Sequence, residues 1–471
     1  MPSRPGSFAS FVYIASICLL FAASALPAVS QETIIYSFGA NTSDSQIPST
    51  ALVADKGGNL YGATTKGGAS ECGAVFELSP QTNGSWAESV IYSFTKTGSL
   101  CVGTPGPSLI LDGQGNLYST ALGGAHGVGF VYELSPSSSG WTLTDLYDFH
   151  PTYAYRDGYY PYAGLSLDRA GNLYGTTYLG GVGQCYNSQG DVTESVAAES
   201  RVNGSEPPKG NTSSGCGIIF ELSPSSSGAW TEKILYNFRS GADGAGPWSS
   251  LTLDANGDLF GTTSGGGTGN GGCIGVYIQG CGTVFELTRA HGGWKEQVLY
   301  AFTGDADGGV PVSGVIFDRA GNLYGTTPGE FGEYGSVYEL SPTSTGTWTE
   351  TTLSSFLNET YGYGAASSLI IDNAGNLYGT TQYGAGPTGS AQVSATGHTA
   401  PPPKPVGPGT IFEITPGESG TWATNWLHTF AGSPDGLNPS AGMVRGPDGA
   451  FYGTTTRGGA FELGAVYKFV P

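Results

Sequence analysis

The side chains best equipped for chemistry crowd into one short stretch, His150–Tyr162, which reads HPTYAYRDGYYPY. Tyr153, Tyr155, Tyr159, Tyr160 and Tyr162 surround Arg156 and Asp157, and Trp248, Tyr361 and Tyr363 fall at comparable places further along. Aromatic faces beside Asp, Asn and Arg can stack on sugar rings while the polar groups hydrogen-bond the hydroxyls. The same combination can anchor a protein partner. The competing account is that these rings only pack the loops onto the structure beneath them.

The carboxylates read differently, because they recur. One Glu returns as Glu77, Glu133, Glu221, Glu286, Glu339 and Glu413, with Lys468 at the last place. One Asp returns as Asp55, Asp112, Asp168, Asp254, Asp318 and Asp372. Glycosidic chemistry needs two carboxylates converging at one point. A series spreads them around the molecule, and Asp is a turn former, so both series are expected to serve the scaffold. Asp305-Ala-Asp307-Gly308 has a calcium-loop flavour but lacks the later bidentate Glu, which leaves a turn. His126, His150, His291, His398 and His428 are scattered over unlike positions. No metal, cofactor or catalytic set is expected.

These residues are positioned by a repeated unit. The phrase GNLYGTT stands at Gly171–Thr177, Gly321–Thr327 and Gly375–Thr381. Variants stand at Gly58–Thr64, Gly115–Thr120, Gly257–Thr263 and Gly449–Thr455. Such a period marks one supersecondary block made in series. The copy from Pro247 to Phe302 reads as four antiparallel strands: a (Ser249–Asp254), b (Asp258–Thr263), c (Gly282–Leu287) and d (Trp294–Phe302). Strands a and b are apolar at consecutive positions, so both their faces need cover. Radial stacking of sheets supplies that cover. The start of strand a should crowd the axis, and Ala51, Ser108, Gly164, Ser250, Gly314, Ser368 and Gly442 are all small.

Thr33–Phe38 matches strand d without its a, b and c, whereas the last unit stops after a strand c at Ala465–Phe469. Pairing these two segments closes the ring and removes an open edge. The expectation is an all-β, seven-bladed β-propeller of four-stranded antiparallel blades, the last completed by the N-terminal strand. Loops b–c and d–a share one face. They carry the insertions near 178–217, 264–282 and 382–409, and variable loops on a rigid scaffold are where binding usually resides.

Residues 1–30 read as a secretory signal: Arg4, an apolar stretch at Phe11–Leu26, then Ala28-Val29-Ser30 before the cut. The remaining 31–471 is read as one propeller domain. Its six cysteines suit an oxidising compartment. Loop placement pairs Cys72 with Cys101, Cys185 with Cys216 and Cys273 with Cys281. The formal charge of −20, with no basic patch, argues against nucleic acid. A secreted or periplasmic monomer without a membrane span is expected.

GNLYGTT, the following VFELSP-type strand (Val75–Pro80, Ile219–Pro224, Val337–Pro342) and the Trp-led LYSF strand resemble the Gloeobacter/Verrucomicrobia-type tandem repeat of exported bacterial proteins. The resemblance spans essentially all of 31–471. The DxxGNLY turn is more distantly similar to NHL and SMP-30 propellers. The first resemblance implies an extracytoplasmic propeller of undefined activity, often with a C-terminal anchoring signal, which is not seen here. The second implies a lyase or a metal-dependent, lactonase-like hydrolase using the central channel. The small residues of the inner strand do not offer the Glu/Asn/Asp set that such a metal site requires. A non-catalytic propeller binding a glycan or protein partner through its long-loop face is the favoured expectation. A structural envelope or matrix component is a third reading.

Overall fold

Each copy of the repeated phrase becomes the second strand of a sheet in the computed structural model. It describes residues 31–40, 44–97, 100–150, 157–183, 185, 215–267, 273, 278–328, 335–356, 364–365, 367–384 and 407–471. The leader 1–30, Tyr153, Tyr155, Arg156, Tyr361, Tyr363 and most of the 178–217 and 382–409 insertions lie outside these residues, as does part of 264–282.

Seven sheets of four or five strands form the blades of an all-β propeller. In blade 4, strand b (Leu259–Gly265) pairs with strand c (Thr283–Ala290), which pairs with strand d (Gly293–Ala301). Strand b is buried throughout, as its unbroken apolar run requires. The cover comes from the neighbouring blades. One core cluster joins Val131, Leu146 and Phe149 of blade 2 to Leu165, Leu173, Ile218 and Phe220 of blade 3.

Strand a differs from the expectation. In blade 4 its regular part is only Thr252–Leu253, and an outer piece, Ala245–Pro247, pairs separately with the far end of strand b. The break falls at a proline. The residue before that proline has φ of 57° at Ile47, 61° at Tyr160, 55° at Val310 and 59° at Asn438. A pre-proline residue normally stays extended, so this left-handed turn is strained. Compensation comes from the preceding blade. Ile47 N–H donates to Leu463 O at 2.8 Å, Tyr160 to Val128 at 2.8 Å, Val310 to Cys281 at 2.7 Å and Asn438 to Pro408 at 2.8 Å. Much of what reads as d–a loop is therefore the outer half of strand a, clamped across a blade boundary.

The axis is crowded by small residues, as expected. Ala51 and Ser108 form a parallel bridge, and a Cβ added to Gly164 would meet both Ser108 and Ser250. The first Thr of GTT reaches the next blade. Thr262 Oγ1 donates to Ser313 O at 3.0 Å, Thr120 to Ala163 at 3.0 Å and Thr326 to Ser367 at 3.1 Å. Across the closure, Thr454 Oγ1 donates to Thr50 O at 3.2 Å.

The first and last described strands meet as the repeat requires. Gln31–Ser37 pairs antiparallel with Ala465–Val470. The register shift between Ile34 and Tyr36 matches the bulge in each covalently continuous c–d hairpin, for example between Val75 and Phe76. All three expected disulfides are present: Cys72–Cys101, Cys185–Cys216 and Cys273–Cys281. Such bonds belong to an oxidising environment. No helix among the described residues is long and apolar enough to cross a membrane.

The Gly of GNLYGTT is fixed by a close approach. A Cβ on Gly175 would lie 2.5 Å from the Phe220 ring and 2.9 Å from Leu165. Phe220 is fully buried and cannot yield. Gly175→Ala is expected to cost about 1–3 kcal/mol through overpacking, read as a lower denaturation midpoint with an unchanged slope.

Candidate functional site

Among the described residues, the aromatic side chains of the d–a segments of blades 3 and 4 come together across the boundary between these blades. Tyr159 lies on the outer piece of strand a of blade 3, and Tyr160 and Tyr162 flank the Pro161 break. Trp248 follows the equivalent Pro247 of blade 4. Tyr160 and Tyr162 stack with centroids 5.9 Å apart at 24°, and Tyr162 and Trp248 stack at 5.0 Å and 13°. Tyr178, from blade 3, is buried beneath and meets Trp248 edge-on at 4.9 Å. Tyr159 meets Tyr160 edge-on at 5.9 Å. Tyr160, Tyr162 and Trp248 keep partial exposure, so the column is half core and half surface. At the place after the proline, other blades carry Ser49, Gly106, Val312 and Ser440. Only two adjacent blades carry large rings there among these described positions.

Asp157, expected beside a ligand, is buried and occupied. It accepts from Tyr147 Oη at 3.0 Å, His150 N at 2.9 Å and its neighbour Gly158 N at 2.8 Å. It therefore holds the loop that carries the rings. The same role recurs at Asp44, Asp243, Asp307 and Asp435.

The two repeated carboxylate series meet pairwise rather than staying apart. Tyr174 of GNLY lies 3.2 Å from both Asp168 and Glu221, and Tyr324 lies 3.2 Å from both Asp318 and Glu339. The Asp oxygens also cap the a–b turn through the Asn of the phrase, as Asp168 does with Asn172 at 2.9 Å. In the last blade Lys468 replaces the Glu, bonding Asp448 at 2.8 Å. A network that survives a charge reversal at one member is scaffold. The Trp that opens strand d packs between blades, as Trp141 does on Tyr61 at 6.1 Å.

A further set was missed by the sequence reading. Strand d carries Glu88, Glu232 and Glu296 two residues after its Trp, and Glu32 at the same place in the N-terminal strand. Burial pushes Glu88 up to about 7, with Asp44 nearby adding to the shift and the polar groups of Ser45 opposing it. Burial and then Asp157 raise Glu232 to about 7; burial and then Asp243 raise Glu296 to about 7. Glu32 reaches about 7 through burial and Asp435, against the opposing His428. Each of the four has a buried Oε1 without a hydrogen-bond partner. Aligning the seven d strands on their final Phe would have revealed them.

A family model described as the Gloeobacter/Verrucomicrobia repeat matches residues 50–212 and 208–392, more than half of the chain. No curated protein matches it in sequence. Among solved structures, AofleA from Arthrobotrys oligospora is similar at 9% identity and a TM-score of 0.39, over 84% of this chain and 90% of that one. A chain of a mitotic checkpoint complex is similar at 10% identity and a TM-score of 0.46, over 100% and 99%. Similarity at those scores carries no functional weight.

Proposed function

The chain belongs to the Gloeobacter/Verrucomicrobia repeat family, and from that premise we propose that it is an exported, non-catalytic propeller that binds a glycan on its long-loop face. The observation that carries this reading is the Tyr160–Tyr162–Trp248 column. A sugar presents flat C–H faces that can extend such a column, while its hydroxyls need polar neighbours. The tyrosine-rich stretch that ends in this column carries such a group in its sequence, Arg156. Export to the periplasm or medium agrees with three disulfides on the same face.

Binding to an oligosaccharide array, followed by titration of the best hit, tests the proposal. Trp248→Ala with Tyr162→Ala is expected to weaken binding roughly tenfold or more, at about 1 kcal/mol per stacking contact. Unaltered affinity in the double variant would remove the column from the site. A blank array alongside capture of a specific protein would favour the protein-partner reading instead.

A further inference from the structure

The molecule repeats one buried cluster at its blade boundaries. It takes a Tyr from strand d of one blade, the Asp that follows, and a Glu from strand d of the next blade. The sets are Tyr36/Asp44/Glu88, Tyr147/Asp157/Glu232, Tyr236/Asp243/Glu296 and Tyr300/Asp307/Glu350. In each the phenol donates to the Asp, at 3.2, 3.0, 3.0 and 2.9 Å. Two boundaries lack both carboxylates. Tyr92 faces a loop without Asp and a next strand with Leu143 in place of Glu. Ser354 instead accepts from Thr424 at 2.8 Å. The boundary between blades 6 and 7, where the N-terminal strand is the outer strand of blade 7, keeps both carboxylates, Asp435 and Glu32, but has His428 where the phenol stands elsewhere.

That exchange changes the chemistry. A phenol with a raised pKa is a proton donor and a poor metal ligand at neutral pH. Neutral imidazole offers a nitrogen lone pair. His428 Nε2 lies 3.4 Å from Asp435 Oδ2 and 3.9 Å from Glu32 Oε2, and a ligand atom from each of the three falls within 4.8 Å of the others. The Glu32 side chain is only 9% exposed, yet its Oε1 has no partner, and His428 Nε2 makes no well-formed hydrogen bond. Asp435 is held in place by Ala431 N, which donates to its Oδ2 at 2.9 Å, and Gly436 N, which donates to its Oδ1 at 2.7 Å. One imidazole and two carboxylates suit zinc or a similar transition-metal dication, whereas calcium and magnesium favour all-oxygen sets.

We propose that Glu32, His428 and Asp435 bind a zinc-class divalent cation that ties the N-terminal strand, which completes blade 7, to blade 6. A solvent molecule would complete the coordination, because His428 and Asp435 remain partly exposed.

The test uses chelator-treated full-length mature protein. Calorimetric titration with zinc is expected to give one site per chain, and the melting temperature to rise with zinc and fall back with chelator. Cobalt in place of zinc should give visible ligand-field absorption. His428→Tyr rebuilds the phenol cluster of the other boundaries, so it should fold normally but bind at least about tenfold more weakly. Glu32→Gln should weaken binding as well. Absence of a one-to-one zinc isotherm in the wild type overturns the proposal, and so does equal affinity in His428→Tyr. If His428 is instead a protonated partner for the two carboxylates, the melting temperature will not respond to zinc, and the proposal fails.

Discussion

Deleting residues 31–38 is expected to abolish the cooperative fold or turn the protein into an aggregate. That short strand serves three blades. Its backbone completes blade 7 against Ala465–Val470. Phe38 is fully buried, packs edge-on against Phe76 of blade 1 at 5.0 Å, and donates its N–H to Gly464 at 3.0 Å. Glu32 reaches the blade 6 boundary. Without it, the strand containing Val466, Tyr467 and Phe469 becomes an exposed apolar edge, the geometry that recruits other chains. Phe38→Ala alone should cost about 3–5 kcal/mol. Size-exclusion chromatography and thermal denaturation read the outcome. A synthetic peptide of residues 31–38 should restore part of the lost stability by strand addition. A truncated chain that stays monomeric and melts within a few degrees of the full one would mean the seam is dispensable.

The closure was legible because Thr33–Phe38 carries the strand-d pattern whole, and pattern at this period reports architecture. The disulfides were legible for a related reason. Once Cys72 fell in a b–c loop and Cys101 in the next d–a loop, the ring placed both on one face. The bend in strand a was not. Nothing local in Asp157-Gly-Tyr-Tyr-Pro161 says that Tyr160 turns left-handed, because the compensation is a carbonyl on another blade, at Val128. His428 was missed for the opposite reason. It was weighed as one of five histidines, when its meaning came from the column it occupies with Tyr36, Tyr92, Tyr147, Tyr236 and Tyr300. In a repeat protein the informative residue is the one that departs from its own series. The tyrosine-rich loop lies between these cases. Composition drew attention to it, but only the fold could bring Tyr162 onto Trp248, which lies on another blade.

Stability should fall as pH rises from 5 to 8, and Glu88→Gln/Glu232→Gln/Glu296→Gln should remove much of that slope. Each of these glutamates has a folded pKa of about 7, raised first by burial. The unfolded value is near 4.5. The folded chain therefore binds more protons than the unfolded one between these limits. Their contribution is fully present below about 4.5 and is lost as pH climbs through about 7. Above that point each boundary holds a buried Glu carboxylate beside an Asp carboxylate. Solvent still reaches these half-buried groups, so the full shift overstates the effect; about 1 kcal/mol per residue is a reasonable scale. Three together should lower the melting temperature by roughly 5 °C between pH 5 and 8. Glutamine mimics the protonated acid in shape and charge. The triple variant should thus melt close to wild type at pH 5 and above it at pH 8, an unusual sign for substituting buried residues. Melting curves across that range decide the matter. Parallel slopes for the two proteins would show that the pH response arises elsewhere, for instance from general repulsion in a chain of net charge −20.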